Sequence, residues 1–250
     1  MKLTVISQNI RCANDSDGHS IEERAPRIKA LMDAYNADLV GFQEIKPVWL
    51  AHLNAFFGEE YEIHCRFRTA SGKPEGPAMM WKKDTFECLE KGTFWLSDTP
   101  EEESQGWDTL GYPRNAVWAT LRHKDSGKTV THISTHYGFG DEGQLASNQV
   151  ILEQIGKRGT PAFVTADFNF VPESPAYQDM ILHLTDVNTV TAKDEGITFH
   201  AYQPEGEQAR RIDFIFATAD LKPLTYKRLT ETYDGKFPSD HYGILTELNI

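Results

Sequence analysis

The stretch Pro161–Asn169 closes on Asp167-Phe168-Asn169, and side chains two apart on an extended strand face the same way. A carboxylate and an amide projecting together suit an activated water and an oxyanion. The same arrangement recurs along the chain. Asn9 follows the apolar run Leu3–Ile6, Glu44 ends the run from Asp38, and His136 follows Thr129–Ser134. Asp213 sits near the start of Arg211–Phe216, and Asp240 and His241 lie just before Gly243–Leu248. Oxygen donors and two imidazoles without a cysteine suit Mg²⁺ or Mn²⁺ better than zinc. Histidines beside carboxylates transfer protons or stabilise developing negative charge. Together these are the parts for hydrolysing a phosphate ester: a cation, an activated water and donors for the phosphoryl oxygens. Taken singly, each has an ordinary use, as a turn cap or a core histidine. The argument rests on their joint position at predicted strand ends.

The elements that must position them read as follows. Ser20-Ile21-Glu22-Glu23 is a capping box, followed by Ile28, Leu31, Met32 and Tyr35 at helical spacing. Pro47 fits the first turn of a second helix with Leu50, Leu53, Phe56 and Phe57 on its core face. This strand-helix-strand-helix opening predicts an α/β domain. Between Tyr61 and Leu121, short runs separated by Gly, Pro and Asp (Tyr61–Phe67, Ala78–Trp81, Gly92–Ser97, Val117–Leu121) predict antiparallel strands. The insertion Asp98–Tyr112 carries five acidic residues and reads as a surface loop, as does the turn-rich Asn14–His19. A helix is predicted from Asp141 to Ile155 with a stop at Gly156, and a short one near Tyr177–His183. Trp95, Trp107, Tyr137, Phe139, Phe170 and Tyr202 are candidates for the rim of a cleft, against core packing as the ordinary use of most.

The 250 residues carry a formal net charge of −12 and 40% hydrophobic residues, with no linker-like tract. A single domain spanning 1–250 is expected. The acidic total argues against a broad phosphate-gripping face, because counterion release from phosphates drives non-specific nucleic-acid binding. Three scattered cysteines (Cys12, Cys65, Cys88) form neither a disulfide framework nor a zinc motif. No apolar run approaches membrane-spanning length, and the first strand begins at once. A cytoplasmic monomer is expected, with secretion open only to a chain bearing a leader absent from this sequence.

Six motifs, in order, carry a resemblance over nearly the whole chain: Gln8-Asn9-Ile10-Arg11, Phe42-Gln43-Glu44, Ser134-Thr135-His136, Ala166-Asp167-Phe168-Asn169, Arg211-Ile212-Asp213 and Ser239-Asp240-His241. The set resembles the endonuclease/exonuclease/phosphatase superfamily of DNase I-like proteins. Gly92–Ser97, Gly106-Trp107-Asp108 and Arg114–Trp118 are similar to a bacterial subgroup of it. The resemblance implies a four-layer α/β sandwich, two packed and largely antiparallel β-sheets flanked by helices. It implies Mg²⁺ or Mn²⁺ held by Glu44 with Asn9 and Asp240, and a water oriented or deprotonated by Asp167. Asn169 would hold a non-bridging phosphate oxygen, and His241, steadied by Asp213, would donate to the phosphate. His136 would be the second histidine with Glu75 as carboxylate partner, and Arg114 a phosphate-contacting arginine; a surface ion pair is the plain alternative for Arg114. The chain departs from the pattern at Ala166, where many relatives have glycine, and at Tyr137-Gly138-Phe139, where the subgroup has Leu-Asp-His. Thr198-Phe199-His200 matches the subgroup without an assignable role for His200.

The expectation is therefore a metal-dependent phosphoesterase, a phosphodiester ahead of a monoester, with a small or lipid-like substrate. A DNA or RNA nuclease is the alternative, one that lysines and arginines clustered around the site would favour. A catalytically dead binding module is the third, opposed by the intact motif set.

Overall fold

The structure, a computed structural model, describes residues 1–69 and 74–250. In chain order the strands are β1 (Lys2–Asn9), β2 (Leu39–Ile45), β3 (Tyr61–Cys65), β4 (Gly76–Lys82), β5 (Phe86–Trp95), β6 (Asn115–His123), β7 (Thr129–His136), β8 (Ala162–Asp167), β9 (Thr185–Asp186), β10 (Asp213–Ala217), β11 (Lys222–Leu229) and β12 (Gly243–Asn249). The helices are α1 (Ile21–Tyr35), α2 (Pro47–Phe57), α3 (Asp141–Arg158) and α4 (Pro175–Met180). One six-stranded sheet runs β11-β12-β1-β2-β4-β3 and the other β5-β6-β7-β8-β10-β9. Only β1–β2 and β7–β8 pair in parallel among the described strands.

Three buried clusters define four layers. Leu3, Val5, Leu39, Met79 and Trp81 of the first sheet meet Val117, Leu121, Phe163 and Ile215 of the second between the sheets. Ile28, Leu31, Trp49 and Leu53 seal α1 and α2 onto the outer face of the first sheet. Val150, Ile151, Tyr177 and Met180 seal α3 and α4 onto the second. Central strands such as β2 and β8 are covered on both faces, so they are buried along nearly their whole length rather than alternating. Among the described residues no helix is long and apolar enough to cross a membrane.

Local chemistry sets the element ends. Ser20 and Glu23 make both halves of the capping box on α1. The buried stripe of α2 is Trp49, Leu53 and Phe57, while Leu50 and Phe56 are half-buried, a shift of the predicted face. Helix α3 runs through Gly156 and stops at Gly159, whose φ of 60° makes the left-handed cap. Arg24 on α1 is wholly buried and donates to the carbonyls of Ile10, Arg11, Ala13 and His19, which fixes the loop after β1.

Candidate active site

The two parallel pairs and their antiparallel neighbours deliver every predicted site residue to one end of the sandwich. Asp167 is in register with His136 across β7–β8 and with Asp213 across β8–β10. Asn9 and Glu44 leave the first sheet beside them, and the Ser239-Asp240-His241 loop closes the gap before β12. The sheets are joined here by one amide. Asn9 Nδ2 donates to Asp167 Oδ2 at 3.0 Å and to Glu44 Oε1 at 3.2 Å. Backbone strain gathers at the same end: Arg11, Glu44 and Asn169 have φ of 60°, 66° and 53°. The β2–β4 register slips between Phe42 and Ile45, a bulge that re-aims Glu44.

Two carboxylate–histidine arrangements follow. His241 Nδ1 lies 2.9 Å from Asp213 Oδ2, and its Nε2 faces Asp167 Oδ2 at 3.7 Å. Burial would lower the pKa of this imidazole, but the Asp213 carboxylate outweighs it and holds the ring protonated. Asp167 is shifted upward by burial and by Asp213, against the pull of His241. His136 behaves in the opposite way. Burial and the nearby Arg114 keep it neutral, with Nε2 at 3.0 Å from Asn169 Nδ2 and 3.4 Å from Asp167 Oδ2.

Glu44 accepts the Cys12 N–H at 2.7 Å. Burial disfavours its charge, yet that N–H and the protonated His241 hold it ionised, below the usual carboxylate range. Asp240 is shifted upward by burial and then by Glu44, with Arg11 Nε 3.5 Å away in partial compensation. The ligand atoms of Asp167, Asp213 and His241 lie within 4.8 Å of one another. A protonated imidazole between those carboxylates already occupies a cation's place. The carboxylates of Glu44 and Asp240, which feel each other's charge and both line the cleft, fit a hard divalent cation better.

Three expectations change on contact with the geometry. Among the described residues Glu75 makes no hydrogen bond to His136, although both line the cleft: its carboxylate takes Arg68 Nη2 at 3.0 Å, and His136 Nδ1 has no hydrogen-bond partner there. Asn169 Nδ2 donates to the Tyr137 carbonyl at 2.9 Å besides meeting His136, so both its amide protons are engaged. Arg114 is no surface ion pair: with a side chain 7% exposed, it binds the fully buried Asp108 at 2.7 Å. Asp108 lies in the acidic insertion read as surface, and its nearest sequence signal was Gly106-Trp107-Asp108. Of the six proposed rim aromatics only Phe139 lines the cleft; Tyr112 and Phe199 do so instead, with Leu110 and Ile212. Trp95, Tyr137 and Phe170 are core residues. Arg11, Arg68 and Arg210 also line the cleft and had been given no role. The Cys12 thiol is no nucleophile, being shifted far upward by burial and by Glu44.

Residues 6–241 match the Endonuclease/Exonuclease/phosphatase family. The chain belongs to this family. A family member from Bacteroides thetaiotaomicron superposes with a TM-score of 0.91 at 29% identity, over 99% of this chain and 97% of that one. One from Bacteroides vulgatus does so with 0.91 at 27%, over 100% and 99%. A mannosyl-6-phosphatase of Bacteroides thetaiotaomicron gives 0.89 at 30%, over 99% and 100%. No curated protein sequence matches the chain significantly. Family membership and the similar mannosyl-6-phosphatase support a phosphoesterase of the hydrolase class, in a family whose enzymes generally depend on a divalent metal.

Proposed function

We propose that this chain is a divalent-cation-dependent phosphatase acting on phosphomonoesters of compact, polyhydroxylated leaving groups. The observation that carries it is the single amide of Asn9 bonded to both Glu44 and Asp167, across from a His241 held by Asp213. This sets a cation-holding group, a water-holding group and a proton donor around one point. Glu44 and Asp240, with the Asn9 side-chain oxygen, would hold the cation. A cation there supplies Lewis-acid charge to the phosphoryl oxygens. Asp167 Oδ2 orients the attacking water and accepts its proton. His241 Nε2–H and the Arg114 guanidinium, whose Nε is anchored by Asp108, bind the phosphoryl oxygens as charge builds. Asn169 fixes the His136 ring rather than gripping phosphate itself.

The preference for a monoester departs from the diester favoured by sequence, for two reasons. The similar mannosyl-6-phosphatase covers nearly the whole chain, and the cleft, about 300 Å³, suits a compact ligand. Clustered arginines would favour a nuclease, but three of the four in the cleft are ion-paired to the protein's own carboxylates.

The test is hydrolysis of p-nitrophenyl phosphate, its bis ester and mannose 6-phosphate, with Mg²⁺, Mn²⁺ or EDTA, for wild type and His241→Ala. The expected result is cation-dependent turnover, greater on monoesters and reduced at least ~10²-fold in the variant. Turnover that ignores EDTA or survives His241→Ala would sink the mechanism, and faster bis-ester turnover would return the diester.

A further inference from the structure

Thr198-Phe199-His200 stands between the two halves of the histidine pair. Thr198 is wholly buried. Its Oγ1 accepts the backbone N–H groups of both Ile212 and Asp213, each at 3.0 Å. Its carbonyl accepts the N–H of Tyr242 at 2.7 Å, the residue after His241. Its own N–H goes to Arg210 O at 3.0 Å, and the next residues extend the tie, with His200 N donating to Asp240 O at 2.9 Å. The Phe199 ring packs on the His241 ring, centroids 4.9 Å apart.

The need for such a tie follows from the topology. β9 covers β10 at Phe216 and Ala217, so the start of β10, where Asp213 sits, is held on that side by a side chain instead of a strand. β10 and the loop before β12 belong to different sheets. We propose that Thr198 is a positioning residue for the Asp213–His241 pair. Its hydroxyl oxygen sets the Asp213 backbone and its carbonyl sets the His241 loop, so one residue fixes the distance between carboxylate and imidazole. This rests on the phosphatase reading for its kinetic consequence, though not for its structural one.

The test compares Thr198→Val, which keeps the shape and loses the acceptor, with Thr198→Ser, which keeps the acceptor. Two readouts are taken: kcat and KM on p-nitrophenyl phosphate, and the far-downfield ring N–H proton of a histidine bound to a carboxylate, assigned by its loss in Asp213→Asn. Displacing a reacting group by about 1 Å costs about 10²-fold. Thr198→Val should therefore lose about 10²-fold in kcat at unchanged KM and lose the downfield signal. Thr198→Ser should keep kcat within about threefold and keep the signal. If Thr198→Val does not fold, Thr198→Cys, a weak acceptor, should fall between wild type and that loss. A Val variant with full kcat and signal, a Cys variant matching wild type in both, or a Ser variant as impaired as the Val one, would overturn the proposal. Should wild type cleave no phosphoester, the phosphatase reading fails and the downfield signal alone decides the role of Thr198.

Discussion

The buried pair of Asp108 and Arg114 should be the most costly ion pair in the cleft wall to break. Asp108 Oδ2 accepts Arg114 Nε at 2.7 Å, and Oδ1 accepts the N–H groups of Leu110 at 2.9 Å and Phe139 at 3.3 Å. The Asp108 side chain is fully buried, and that of Arg114 is only 7% exposed, at the cleft. Removing one partner of a buried pair costs about 3–5 kcal/mol, because the other charge stays buried without compensation. A buried N–H left unbonded costs about 1–3 kcal/mol more, and the two terms overlap. Asp108→Ala should therefore lose about 4 kcal/mol in urea unfolding with an unchanged m-value, and Asp108→Asn about 2 kcal/mol, since its oxygen still serves the two N–H groups. Asp108→Leu with Arg114→Met should recover to within about 1–2 kcal/mol of wild type, as apolar replacements of buried pairs often do. A cost below about 1 kcal/mol for Asp108→Ala, the range of exposed pairs, would refute the reasoning. So would a double variant no more stable than the single one.

Further outcomes test the sheets, the protons and the cation. A Cβ on Gly41 would overlap Thr165 Oγ1 and lie 2.9 Å from Ser134 Oγ, so Gly41→Ala should cost about 1–3 kcal/mol, and adding Thr165→Ala should recover part of it; equal stability of Gly41→Ala and wild type would show that the sheets are not so closely apposed. His132 is buried against Phe163 and Thr165, and burial pushes its pKa down from 6.5 to about 3. Between those values the unfolded chain binds a proton that the folded one does not, so folding stability falls as pH drops below 6.5, by about 2 kcal/mol at pH 5. His132→Leu should remove that share of the acid sensitivity, and an unchanged wild-type-to-variant difference between pH 7 and pH 5 would exclude it. Mg²⁺ or Mn²⁺ at a hundredfold over its dissociation constant should add about 2.7 kcal/mol of stability by binding only the folded state. Glu44→Gln should abolish most of the resulting rise in melting temperature, and a rise of equal size in the variant would place the cation elsewhere.

The site was legible because its residues sit where apolar strands stop, and polar groups at such ends stand out against the run before them. Candidates Asn9, Glu44, His136 and Asp167 stand out this way, and Asp213 as the charge at the start of an apolar run. Their partners do not, because pairing across loops leaves no periodic trace. Asp108 is one of five acids in the insertion, and only the adjoining Gly106-Trp107 sets the buried one apart. Glu75 came to His136 through resemblance alone, and Arg68, seven residues upstream, takes its carboxylate. The end of α3 was misplaced for a related reason. Gly156 and Gly159 are the same residue type, but only the second adopts the left-handed φ that terminates a helix. Strand β11 escaped notice because it is an edge, charged and mostly exposed or half-exposed along its length, which blunts aggregation and also blurs the alternation that would reveal it.

The charge pattern reconciles a net charge of −12 with the phosphate substrate proposed above. Arg11, Arg68, Arg114 and Arg210 line the cleft together with Glu44, Glu75, Asp167 and Asp240. Arg11 binds Asp15 at 3.0 Å, Arg68 binds Glu75 at 3.0 Å and Arg114 binds Asp108 at 2.7 Å. Pairing fixes each guanidinium in place while leaving further N–H groups for a ligand, and it cancels most of the far field. Arg210, by contrast, lies over the Phe199 ring at 5.2 Å and has no ion pair among the described residues. The net charge of −12 repels a polyanion mainly within a Debye length of about 8 Å of the surface, and more strongly at low salt, while inside the cleft a single phosphate meets oriented donors. A long nucleic acid would gain attraction at one phosphate and meet repulsion at its neighbours. A small monoester, the substrate class proposed above, would place its whole charge where the donors are.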